Sequence, residues 1–92
     1  MNVRGHIEKV LKQAIVDGSD TSFLYDEIVL EDKISKYMDS LDFANVSLDT
    51  EEKLGLDRDL ILEDRAFINA KTLKDLVDVY YVHYLGTDHD KI

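Results

Sequence analysis

The sequence predicts an all-α fold: a small four-helix bundle with three long helices and one short. Three observations carry this. Apolar residues recur at helical spacing in three separate stretches. The 92 residues include no proline and only 4 glycines, few turn residues for a strand-rich domain. With 45% hydrophobic and 34% charged residues the chain reads as globular, of a length for one domain spanning 1–92.

The first helix is expected over about residues 3 to 17. Ile7, Val10, Leu11, Ala14 and Ile15 fall on one face, and Gly18 is a stop. His6 lies on the polar side, which predicts exposure. Residues 18 to 38 form a long connection with Phe23, Leu24, Ile28, Val29, Leu30 and Ile34 along it. A connection of that length should pack on the core or hold a short turn of helix.

A second helix starts at Asp39 or Ser40 and runs to about Leu54, with Gly55 as its stop. At 100° per residue, Phe43, Val46, Thr50 and Leu54 make an apolar stripe assigned to the core. Leu41, Ala44 and Leu48 make a second, shorter stripe. Between them run Asp42, Asn45, Asp49 and Glu52, and Ser40, Ser47 and Glu51 project from the remaining side. The second stripe is either covered by the long connection or an exposed patch with an acidic rim.

The next segment, LDRDLILEDRAFINA, is apolar but irregular. Leu60, Ile61, Leu62, Phe67 and Ile68 suit a short helix and a loop packed inward. The last helix opens with TLKD, a capping-box pattern of Thr72 with Asp75 three residues on. Leu73, Leu76, Val77, Tyr80, Tyr81 and Tyr84 follow at helical spacing, and the tyrosines read as packing residues. Gly86 ends it, and residues 86–92 are expected to be a frayed tail.

Twenty acidic against eleven basic residues give a formal net charge of −9. Such a chain repels phosphate backbones and anionic membranes, so nucleic-acid and membrane partners are disfavoured and a basic protein surface is the natural partner. With no cysteine there is neither a disulfide framework nor a thiolate nucleophile. There is no apolar run long enough to span a bilayer and no signal-peptide pattern, so the expected setting is a monomer in the cytoplasm.

The candidate chemistry centres on Asp39-Ser40-Leu41-Asp42. One reading is a helix cap, with Asp39 accepting free N–H groups and Asp42 favouring the helix dipole. The other is that Ser40, pointing outward from the first helical position, carries a phosphate-linked group favoured by the N-terminal N–H groups. No base is evident beside Ser40, so another enzyme would have to perform the attachment. Asp17 to Ile28 has oxygen side chains at loop positions 1, 3 and 5 of a calcium loop. It lacks the glycine at position 6 and the glutamate at position 12. His83, His89, Asp88 and Asp90 make a poor zinc set beside a solvated tail. No catalytic constellation is present, and the chain is not expected to be an enzyme.

From about residue 3 to 85 the sequence resembles the acyl carrier protein family. An amphipathic first helix and a long loop lead to D-S-L-D at residues 39 to 42. The helix that follows ends in Glu51-Glu52 and Leu54, and after an irregular segment comes the final helix with TLKDLVDVY. The resemblance implies a four-helix carrier. It implies that a phosphopantetheinyl transferase moves 4′-phosphopantetheine from coenzyme A onto Ser40. The arm's thiol would then hold an acyl group as a thioester. It also implies that Asp39, Asp42, Glu51 and Glu52 meet basic patches on acyl-transferring or acyl-synthesising enzymes, with Leu41 and Leu48 as apolar contacts.

The chain departs from the family in having Tyr37 where glycine is usual two residues before D-S-L. Asn45 replaces a common glutamate, and Ser47 and Thr50 stand where core Leu or Val is usual. The segment before the last helix is longer and lacks the usual proline. These changes suggest a specialised carrier in fatty-acid or related lipid or secondary-metabolite synthesis. Alternatives are an aminoacyl, peptidyl or polyketide carrier, or an unmodified acidic interaction domain of the same fold. A calcium-sensing helical protein is a more distant one.

Overall fold

The computed structural model describes residues 2–18 and 23–86. Among these residues six α-helices run in chain order: α1 (Val3–Gly18), α2 (Ile34–Tyr37), α3 (Ser40–Leu54), α4 (Arg58–Leu62), α5 (Arg65–Ile68) and α6 (Leu73–Gly86). A 3₁₀ turn, Tyr25–Glu27, lies between α1 and α2. Among the described residues there is no strand, and the only extended pairing is a lone antiparallel bridge between Lys33 and Thr72. Three long helices are as expected. In place of one short helix there are three, plus the 3₁₀ turn.

α1 packs along α3 and against α6. The face read from sequence is the buried one: Ile7, Leu11 and Ile15 are fully enclosed and Ala14 nearly so. Val46, Thr50 and Leu54 of α3 and Leu73, Leu76, Val77 and Tyr80 of α6 complete the centre. Burying a Leu- or Ile-sized side chain is worth about 2 kcal/mol relative to exposure, so this stripe-to-stripe packing is what fastens the three helices. An ion pair between Arg4 and Asp78 ties α1 to α6 at the rim. His6 is half-buried rather than exposed.

Local signals set the ends of the long helices. Gly55 adopts φ 71°, ψ 30°, the left-handed geometry that closes α3, and its N–H bonds back to the Glu51 and Glu52 carbonyls. At α6 the capping box is reciprocal: the Asp75 N–H donates to Thr72 Oγ1 at 3.1 Å, and the Thr72 N–H donates to Asp75 Oδ2 at 3.0 Å. The Lys71 N–H also donates to Asp75 Oδ2, at 2.9 Å. The Lys71 and Thr72 N–H groups are the main cause that holds the Asp75 carboxyl below the usual carboxylate range.

The segment between α3 and α6 corrects an expectation. Ile61 and Phe67 point inward, but Leu60, Leu62 and Ile68 are 57%, 47% and 64% exposed. The reason is that α4 and α5 are only five and four residues long and each starts on its own capping aspartate, Asp57 and Asp64. Each helix is too short to turn more than one large side chain toward the core. The tail at 87–92, with His89, Asp88 and Asp90, lies outside the described residues, as do positions 19–22 of the calcium-like loop.

Candidate functional site

Met38 and Asp39 are extended, with φ −146° and −83°, and deliver the chain into α3. Asp39 is the N-cap: its Oδ1 accepts the Asp42 N–H at 2.8 Å. Ser40 is therefore the first helical residue, and it is exposed. Among the described residues its hydroxyl has no histidine or carboxylate partner, so none of them activates it as a nucleophile. The capping reading of Asp39 and the outward presentation of Ser40 hold together; one does not exclude the other.

Ser40 opens onto a cleft of about 400 Å³. One wall is the segment from Lys33 through Ile34 and Met38 to Asp39 and Ser40. The other is Phe67, Ile68, Ala70 and Lys71, with Phe43 between them. The Phe43 and Phe67 rings stack, with centroids 5.7 Å apart, so the apolar part of the cleft is a continuous surface across α3 and α5. Tyr37, which stands where the resembled family has glycine, does not obstruct it. The ring is 1% exposed and packs edge-on against Phe23 at 4.8 Å. Its hydroxyl donates to Asp32 Oδ2 at 2.6 Å and accepts from the Val29 N–H at 3.0 Å. The large side chain thus pins the long connection to α2.

Beyond Ser40, α3 presents an exposed apolar strip. Leu41 is 72% and Leu48 41% exposed, with exposed Ala44 between them. The long connection does not cover this second stripe. Its rim carries exposed Asp39, Asn45 and Glu52, and Asp49, which pairs with Lys53 at 3.1 Å. Asp42 belongs to this acidic set by position but is only 7% exposed.

Glu51 is a correction. It was expected on the open side of the helix facing a partner, but it is 1% exposed and its carboxylate is spent internally. Arg58 Nη1 donates to Glu51 Oε1 at 2.7 Å and the Tyr80 hydroxyl to Glu51 Oε2 at 2.9 Å. Arg58 also reaches Ser47 Oγ at 3.2 Å. Burial, the main cause, together with the Glu51 charge, pushes the Tyr80 phenol far above the normal tyrosine range, so it stays a donor. Ser47 and Thr50, also buried, return their hydroxyls to the Ala44 and Val46 carbonyls. This satisfies polar groups that the helix would otherwise bury unpaired. Sequence reading missed the Arg58–Glu51–Tyr80 cluster because it joins three helices through residues with no common periodicity. It also missed Lys33 and Lys71 at the cleft, which come from segments far apart in the chain.

Comparison of the chain with protein-family models, with curated proteins and with solved structures gives no match.

Proposed function

We propose that the chain is a carrier protein. Through a phosphopantetheinyl transferase, Ser40 Oγ loses its proton and forms a phosphodiester with the 4′-phosphopantetheine of coenzyme A as the pyrophosphate bond breaks and 3′,5′-ADP leaves, and the loaded chain delivers acyl groups to enzymes with basic docking surfaces. The observation that carries the reading is the exposed Ser40 hydroxyl. It sits at the first position of a 15-residue helix, between the Asp39 cap and exposed Leu41, and opens onto the cleft. The arm, when bound, supplies a thiol able to hold an acyl group as a thioester, a chemistry this chain without cysteine has no side chain to perform.

The residues present suit that group. The Ser40 Oγ is free to be phosphorylated, and the first-turn N–H groups of α3 favour an anion there. Asp39 keeps the helix end closed whether or not Ser40 is modified. Lys33 and Lys71 line the far end of the same cleft. Among the described residues no side-chain base serves Ser40, so in this reading the transferase removes its proton.

Leu41, Ala44 and Leu48 would form the apolar contact, and Asp39 and Glu52 the exposed charges, of a transient interface. Glu51 would serve it only indirectly, by holding α3 to α4 and α6. In this reading α1, α3 and α6 are the long members of a four-helix carrier bundle, and the short helices between α3 and α6 form the cleft wall.

Intact mass after incubation with coenzyme A and a broad-specificity phosphopantetheinyl transferase tests this. The parent chain should gain one phosphopantetheinyl group and the Ser40→Ala chain none. A folded parent that stays unmodified with both that enzyme and its own organism's transferase would leave the unmodified acidic interaction domain as the better reading.

A further inference from the structure

The cleft beside Ser40 is chemically two-ended. Lys33 precedes α2 and Ser40 follows it, so the two stand at opposite ends of one wall, separated by a four-residue helix about 6 Å long. Lys71 joins Lys33 at its end because the backbone holds the two segments together. The Ile34 N–H donates to the Lys71 carbonyl at 2.8 Å, and Lys33 is bridged to Thr72. The flanking bonds Leu73 N–H to Asp32 O and Lys74 N–H to Leu30 O, at 3.1 and 2.8 Å, make this junction rigid.

Among the described residues neither lysine ammonium has a carboxylate partner, although the chain carries 20 acidic residues and Lys36 and Lys53 are both paired. At the other end stands the Asp39 carboxylate, and between the ends lie apolar Ile34, Met38 and Ile68.

We infer that this cleft binds an amphipathic anion: an apolar chain ending in a carboxylate, its body along Ile34, Met38 and Ile68 and its charged end between Lys33 and Lys71. Asp39 repels the same charge at the opposite mouth, which fixes the direction in which the molecule lies. The carboxylate has two sources, a free acid or the far end of a carboxylated acyl chain attached through Ser40. The cleft chemistry is shared, but the second source rests on the proposed loading of Ser40.

The unmodified chain is titrated with octanoate and with 1-octanol at low salt, following amide and methyl NMR signals. Octanoate should give saturable shifts at Ile34, Met38 and Ile68 and bind several-fold more tightly than octanol. The Lys33→Gln/Lys71→Gln variant should lose about fivefold in octanoate affinity, the scale of two exposed ion pairs, and leave octanol unchanged. Added salt should erase the difference between the two ligands. Lys9→Gln/Lys12→Gln removes the same charge from α1 and should leave octanoate binding as it was.

Equal binding of acid and alcohol, no saturable shift, or shifts away from the cleft would overturn the inference, as would an equal loss in the α1 variant. No arm is present in this titration, so its failure leaves the loading of Ser40 untouched. A failed loading assay likewise leaves the titration readable. The source is then decided by loading Ser40 with a carboxylated and a plain acyl chain of equal length. Shifts at Lys33 and Lys71 confined to the carboxylated one assign the cleft to attached cargo. No such difference, with free octanoate bound, assigns it to a free acid.

Discussion

The Tyr80 hydroxyl donates to Glu51 Oε2 at 2.9 Å in the middle of the protein, joining residues 29 positions apart on α6 and α3. Arg58 completes the cluster from α4. A carboxylate this deeply enclosed is tolerable only while its charge and lone pairs are met. Tyr80→Phe should cost about 1–2 kcal/mol, the loss of one donor to a charged acceptor. Arg58→Met, which strands the charge, should cost about 3 kcal/mol. Replacing both ends, Arg58→Met with Glu51→Leu, should recover part of that loss. Urea unfolding with unchanged slopes measures all three.

Ser40→Ala should be silent in stability, within about 0.5 kcal/mol, because the side chain is exposed and caps nothing. It should abolish loading completely. Asp39 separates cap from charge. Asp39→Ala should cost about 1 kcal/mol through the lost bond to the Asp42 N–H, whereas Asp39→Asn keeps an acceptor and should cost a few tenths. If Asp39 also serves the transferase through its charge, both variants should lower kcat/KM for loading, while the first should lower Tm several times more than the second.

The exposed and buried stripes of α3 should respond oppositely. Val46→Ala, at a position 1% exposed, should cost about 2 kcal/mol. Leu41→Ala should change stability by less than about 0.5 kcal/mol yet raise KM with a partner enzyme, and raising the ionic strength should raise KM further. Steady-state kinetics beside thermal melts distinguishes the two classes.

Acid should loosen the α5–α6 junction. His83 Nε2 lies 2.7 Å from Asp64 Oδ2, and that bond, with the Ala66 N–H on the same carboxylate, holds the Asp64 carboxyl below its ordinary value of 3.8. A carboxyl depressed in the folded state binds its proton more readily when unfolded. Its contribution is therefore complete above pH 3.8 and is withdrawn as pH falls through the lower folded value. Asp75, depressed by the Lys71 and Thr72 N–H groups, acts in the same window. Asp64→Asn and Asp75→Asn should each flatten the acid limb of stability against pH, and His83→Ala should flatten the part due to Asp64. Denaturant midpoints from pH 6 downward would show it.

Ser40 and its cap were legible because the signals are local: an Asp–Ser pair before an amphipathic run sets both the start of α3 and the exposure of its first residue. The cleft was not legible. Phe43, Phe67, Lys33 and Lys71 come from four segments, and nothing in their spacing brings them together. The role of Tyr37 was hidden for a similar reason, since it depends on a hydroxyl reaching back to Asp32 and Val29 across the connection.

By itself the sequence determined the long helices and their ends, through periodic apolar faces, Asp39, Gly55 and the Thr72–Asp75 box, each acting within a turn or two of chain. Tertiary structure alone decided which of the remaining faces meet solvent. Three stripes on α3 were visible, but only the approach of α4 and α6 buries Glu51 and Ser47 while leaving Leu41 and Leu48 open. The physical reason is range. Capping and periodicity are settled by neighbouring residues, whereas burial of a charge depends on whether distant donors such as Arg58 and Tyr80 arrive to satisfy it.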